Sequence, residues 1–283
     1  MSIREIDAQQ IIEAVKKLFM DCNYYIGSDV LEALETAKGE EERPIAKDVL
    51  QQLIDNNKIA ADEQIPICQD TGMAVLFVEY GDQVAVTNGS FKAAVEEGVR
   101  RAYIDGYLRK SVVTDPVFDR KNTKDNTPAV IHTEIVPGNT IKIIAGGKGF
   151  GSENMSAVKM LTPSAGVEGV KKFVLDTVAH AGPNPCPPMV IGVGIGGTFE
   201  KAAQLAKKAT FRSISVSNPD ERYANLEKEL LEEINSMNIG PAGLGGKTTA
   251  LGLNIETYPT HIAGMPVAVN ICCHACRHKE CII

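Results

Sequence analysis

The sequence predicts an α/β fold of α+β-like character: mixed β-sheets flanked by helices, in two intimate lobes with a helical N-terminus. Three observations carry this. Apolar residues recur at helical spacing early in the chain, strands and helices alternate irregularly after that, and AVIHTEIVPGNTIKIIAGGKG reads as two alternating strands about Pro-Gly-Asn. That last pattern is a hairpin signal and argues against a purely parallel sheet. With 283 residues, 44% of them hydrophobic, the chain can build a large core and is near the upper size for a single one. Residues 1–283 are read as one functional domain with lobes of about 1–150 and 151–283.

The elements follow in order. Ile6, Ile11, Ile12, Val15, Leu18 and Phe19 form a helical stripe, Ser28 is placed to cap a second helix, and a third begins over Ile45 to Ile54. IPICQDTGMAVLFVEYG then gives two apolar runs around a polar CQDTG turn, and Ser90 caps a helix reaching Gly106. After the hairpin and the glycine-rich GGKGFGSENMS, Thr162-Pro163 offers cap and first-turn positions for a helix to about Ala179. PMVIGVGIGG is a buried strand, helices start near Thr198 and Pro219, GPAGLGGKTT is a glycine-rich loop, and PVAVNIC is a last strand.

Charge narrows the function classes. The net charge is −7 with Lys and Arg scattered among acids, which leaves no track for a phosphate backbone, so nucleic acid is not an expected partner. No run approaches the ~20 apolar residues of a membrane helix, and the start lacks a signal-peptide core, so a cytoplasmic protein is expected. Seven cysteines in such a setting point to free thiols or metal ligands rather than to a disulfide framework.

Several motifs compete. Gly192, Gly194 and Gly197 satisfy the dinucleotide spacing G-x-G-x-x-G, but the confirming acidic residue at the end of a second strand is missing. Glycines that let the backbone approach another loop or a small ligand are the favoured reading. GLGGKTT fails as a phosphate loop because Pro241 stands where its first glycine belongs, leaving a plain turn or an anion loop. Cys273-x-x-Cys276 with a nearby histidine spaces like a zinc knuckle, whose function would be a zinc-stabilised interaction module. Against it, Cys68 beside Gln69 and Asp70, and Cys186 among three prolines, would stay unexplained. The prolines predict a stiff, extended presentation of the Cys186 sulfur.

ICQDTG, GYLRKSVV, GGKGFGSEN, NPCPPMVIGVGIGGT, LGLNIETYPTHIAG and NICCHACRH, in this order, resemble the class I fumarate hydratase and L-tartrate dehydratase family of iron-sulfur hydro-lyases over roughly residues 60 to 280. The resemblance implies that Cys68, Cys186 and Cys273 hold a [4Fe-4S] cluster. It also implies that Gln69, Arg109 and Gly151 face a C4 dicarboxylate and that Asp70 and His261 are acid–base groups. Cys272 and Cys276 depart from the family pattern of a single cysteine before [HS]-A-x-R. The length resembles the α subunit of the two-subunit form, which implies a separate β subunit, an α2β2 assembly, and fumarate hydration or tartrate dehydration as the reaction. Cys22, Cys272, Cys276 and Cys281 receive no role.

Overall fold

The computed structural model describes residues 3–283. In chain order it has β1 (Arg4–Asp7), α1 (Ala8–Tyr24), α2 (Ser28–Glu40), α3 (Pro44–Glu63), β2 (Met73–Gly81), β3 (Val84–Thr87), α4 (Phe91–Asp105), β4 (Val130–Val136), β5 (Ile141–Lys148), α5 (Phe150–Glu153), β6 (Ala157–Leu161), α6 (Gly166–Ala181), β7 (Met189–Gly196), α7 (Phe199–Ala209), α8 (Glu221–Ser236), β8 (Ala250–Tyr258), β9 (Met265–Cys272) and β10 (Lys279–Ile282). These are mixed sheets with flanking helices, as the sequence predicts. Among the described residues no helix is long and apolar enough to cross a membrane. The chain forms two compact units. One takes the residues up to Ile26, Asn57–Phe150 and Arg277–Ile283, and the other takes Gly27–Asn56 and Gly151–Cys276.

The first unit is built on a four-stranded sheet in the order β10-β5-β2-β4. α1 begins on a capping box, with Asp7 accepting from the Gln9 amide and Gln10 from the Asp7 amide. Its Ile11, Val15, Leu18 and Phe19 stripe joins Val95 and Val99 of α4 and Leu76, Ile141 and Ile143 of the sheet in one core. Ile6, counted in that stripe from the sequence, belongs instead to β1, where it pairs with Val86 of β3. Ser90 caps α4 as expected, its side chain accepting from the Ala93 amide. Ser28 does not act as a cap: Gly27 holds that position and no side chain bonds there.

The expected hairpin does not form. β4 pairs with β2 in parallel and β5 pairs with β2 antiparallel, so β2 lies between them. The reason is burial: Ala74 to Val78 of β2 are all buried, and such a strand requires a hydrogen-bonding partner on each side. The Pro-Gly-Asn turn wraps the end of β2 instead, with the Gly138 amide donating to Asp82 and the Gln83 amide to the Gly138 carbonyl.

The second unit is a three-layer sandwich on the sheet β6-β9-β7-β8. On one face Val170, Val174 and Val178 of α6 and Leu226, Leu230 and Ile234 of α8 cover Ile191, Val193, Val267 and Val269. On the other, α7 packs through Ala202 and Ala206. The glycines of IGVGIGG explain this second contact. A Cβ on Gly192 would overlap the Ala206 carbonyl, and one on Gly194 the Ala202 carbonyl. They serve helix packing inside β7 and are absorbed by it, which removes the basis of the dinucleotide reading. Gly194→Ala is expected to lower unfolding free energy by about 2–3 kcal/mol, read by denaturant titration; an unchanged midpoint would show that α7 is free to shift.

Candidate functional site

In the first unit the CQDTG turn has no regular structure of its own, and buried side chains hold it. Tyr103, fully buried, donates its hydroxyl to the Gly72 carbonyl at 2.8 Å and the Thr71 carbonyl at 3.2 Å. Asn126, also buried, donates to the Gly72 carbonyl at 3.1 Å, and its oxygen accepts from the Ser111 and Val112 amides at 2.7 and 3.2 Å. Thr71 closes the link by donating its hydroxyl to the Arg109 carbonyl at 3.2 Å. The turn that carries Cys68, Gln69 and Asp70 is thereby tied to the segment that carries Arg109. Cys68 is half-buried, and Gln69 and Arg109 are exposed.

Asp70 is held in one orientation. Its Oδ1 accepts from the Gly72 amide at 3.0 Å and its Oδ2 from the Phe150 amide at 2.9 Å. Gly149 lies against the carboxylate, since a Cβ there would stand 3.2 Å from Oδ2. Each oxygen keeps a second lone pair for a proton or a substrate hydroxyl.

In the second unit Cys186 is exposed and precedes β7, while Cys273 is half-buried and follows β9. The two strands are antiparallel, with Val190 opposite Cys272, so both cysteines emerge at one end of the sheet. The His274 amide donates to the Cys186 carbonyl at 3.4 Å. The Cys186 backbone is not extended as the prolines suggested. Its φ of 54° is left-handed, because a tight turn bonds its amide to the Pro183 carbonyl while the following proline disfavours the right-handed region. A non-glycine residue in that region is a strained presentation of its side chain.

His261 lies at the opposite end. It follows β8, whose Tyr258 pairs with Gly196 at the far end of β7, a strand length of roughly 20 Å from the cysteine end. The glycine corner fixes this loop: Thr260 donates its hydroxyl to the Gly197 carbonyl at 2.9 Å, and Gly196 fits against the Tyr258 carbonyl. The ring Nδ1 accepts from the Ala263 amide at 3.1 Å. Within this unit the structure brings Cys186 and Cys273 together and keeps His261 apart from them.

Gly151 is exposed, and a Cβ on it would meet nothing within 4 Å. Packing does not require glycine there; open access to its amide would. Next to it Glu153 accepts from Asn270 at 2.9 Å and pairs with Lys207, and Ser156 accepts from Asn270 and from the Ile271 amide. This network, missed from sequence, anchors the Gly151 loop on the strand that leads to Cys273.

Of the remaining cysteines three are buried, and Cys281 is half-buried like Cys68 and Cys273. Cys22 is fully buried, donates to the Phe19 carbonyl, and burial pushes its thiol up to about 11. Cys276 is 2% exposed and donates to the Thr210 carbonyl at 3.2 Å, and Cys272 packs with Val190 against Ile214 and Leu251. Burial also raises the Cys281 thiol. Buried thiols such as Cys22, Cys272 and Cys276 are inert. The zinc knuckle therefore loses Cys276. Among the described residues no three His, Cys, Asp or Glu side chains are grouped around one ion site. A four-iron cluster is held by cysteine thiolates, a donor type that Cys186 and Cys273 offer together at one end of the second unit's sheet.

The GLGGKTT loop does hold an anion, and it is internal. Glu41 is buried and accepts from the Lys247 amide at 2.7 Å and from the Glu42 and Arg43 amides at 3.0 and 2.9 Å.

Comparison with known families matches residues 12–282 to one described as Fumarate hydratase (Fumerase). The chain belongs to that family. It is 45% identical, over 95% of each chain, to a protein of Methanocaldococcus jannaschii provisionally named L(+)-tartrate dehydratase subunit alpha. It is also 32% identical to the L(+)-tartrate dehydratase subunit alpha of Escherichia coli K12, over 99% of this chain and 94% of that one. As a member of the fumarate hydratase (Fumerase) family the chain is a hydro-lyase subunit.

Proposed function

We propose that this chain is the α subunit of a hydro-lyase that reversibly hydrates fumarate to malate, with a [4Fe-4S] cluster on Cys68, Cys186 and Cys273. The observation that carries the reading is the setting of the cysteines: Cys186 and Cys273 emerge at one end of one sheet, and Cys68 shares its turn with an oriented carboxylate. When bound, the cluster would supply a Lewis acid for a hydroxyl or carboxylate oxygen.

The chain's own residues supply the rest. Arg109 binds a substrate carboxylate through its planar fork of donors. Gln69 adds a neutral polar contact, and the Gly151 amide donates to the same substrate where no side chain intrudes. Asp70 holds or moves the proton beside the carboxylate, directly or through a hydroxyl on a β subunit. His261 takes a second acid–base part if a neighbouring α subunit offers its cysteine end to the His261 loop, as an α2β2 assembly would allow. The names of the relatives imply that β subunit and favour L-tartrate dehydration as a second reading.

The test is anaerobic co-expression with the β subunit, followed by assays on fumarate, malate and both tartrate enantiomers. Turnover of fumarate or malate above tartrate supports the first reading, and the reverse supports the second. An iron-loaded complex that turns over none of the four would overturn both.

A further inference from the structure

The proposed site leaves Arg277 unused. Its side chain is 3% exposed, and its Nη2 donates to the Asp70 carbonyl at 2.7 Å and to the Gly147 carbonyl at 3.4 Å. Three successive carbonyls of this turn are thus held by three buried side chains from different segments. Arg277 holds Asp70, Tyr103 holds Thr71, and Tyr103 with Asn126 holds Gly72. Arg277 is the charged member of the set. Its second carbonyl partner lies at the end of β5, two residues before Gly149 and three before Phe150, whose amide fixes Asp70 Oδ2.

Resting on the reading of Asp70 as the acid–base group, we propose that Arg277 is a positioning residue. It clamps the Asp70 main chain to the end of β5 so that the carboxylate stays between the Gly72 and Phe150 amides. Without the clamp, a turn that has no ladder of its own is free to rotate about Asp70, and one nitrogen of the guanidinium no longer spans the two carbonyls. A lysine brings a single ammonium to the same place on a shorter reach, so it serves one carbonyl at best.

Arg277→Gln and Arg277→Lys are compared with wild type in the iron-loaded αβ complex. With Gln, kcat falls about 100-fold, the scale of a misplaced catalytic group, with KM changed less than about threefold. With Lys the loss is about tenfold. Amide hydrogen exchange rises in peptides covering residues 68–76 and 149–152, and stays at wild-type rates in β10 and in β7. If both variants keep kcat within about twofold of wild type while holding iron, the proposal is overturned. It is equally overturned if exchange rises as much in β10, which would make Arg277 a general fold tie. Should the Gln variant not assemble, the Lys variant decides by the same two readouts. A wild-type complex that holds iron but turns over no C4 diacid sinks the C4-dicarboxylate reading instead, and the exchange pattern still decides whether Arg277 clamps the turn.

Discussion

Replacing Cys68, Cys186 or Cys273 by Ala one at a time is expected to remove iron and activity together, whereas Cys272→Ala and Cys276→Ala keep both. The expectation rests on what each sulfur touches. Cys276 is committed to the Thr210 carbonyl and Cys272 to an apolar pocket, so their loss is a packing defect of about 1 kcal/mol, seen as a lowered melting temperature. The other three thiols are accessible, and Cys186 is held out on a left-handed backbone. Iron and acid-labile sulfide in anaerobically purified complexes give the answer. Iron lost in Cys272→Ala but kept in Cys273→Ala would move the third ligand by one residue, and zinc in place of iron in wild type would return the zinc module.

Asp70→Asn is expected to lower kcat by roughly 10²- to 10⁴-fold with iron retained, the range of a lost acid–base group. Two effects add. The amide cannot take up a proton, and its NH₂ must face either the Gly72 or the Phe150 donor, leaving that amide opposed at a cost of about 1–3 kcal/mol. The measurement is steady-state kinetics on malate beside an iron assay. A variant that holds iron and keeps wild-type kcat would take the acid–base role away from Asp70. Asp70→Glu offers a second view, since it keeps the proton but moves it by a methylene within a turn that three side chains lock.

Local signals were legible where one residue decides the outcome. The Ser90 cap, the stripe of α1 and the strand leading to Cys273 all rest on interactions within a few positions. Pairing was not legible. Pro137-Gly138-Asn139 looks like a hairpin turn because it is a turn, but the choice of partner belongs to β2, a buried strand that takes both neighbours. β1, β3, β6 and β10 are four- or five-residue strands, too short for a periodicity to stand out. β8 is a nine-residue strand whose Leu251, Leu253 and Ile255 alternate with Gly252, Asn254 and Glu256, a period-2 signal that the sequence does carry.

The site shows the same division. The residues beside the cysteines could be named because they are contiguous with them. Asn126 sits in the polar run KNTKDNT, which reads as solvated loop, and yet it is fully buried. Glu41 reaches a loop about two hundred positions later. Arg277 and Glu153 act through contacts that no spacing rule encodes. His261 lies in the same motif order as the cysteines but at the other end of its sheet, since sequence order carries no information about which end of a strand a loop leaves from.

The strand order β10-β5-β2-β4 also sets a timetable for synthesis. β5 gains its second neighbour from Lys279–Ile282, which pair with residues 142–145. A ribosome must therefore make every residue of the second unit before the first sheet can close on that side. Until then β5 presents an open edge, the kind of surface on which nascent chains join one another. The unit that carries Asp70 starts first and is completed last, so a stall between residues 276 and 279 would leave the second unit with its full sequence and the first still open along β5.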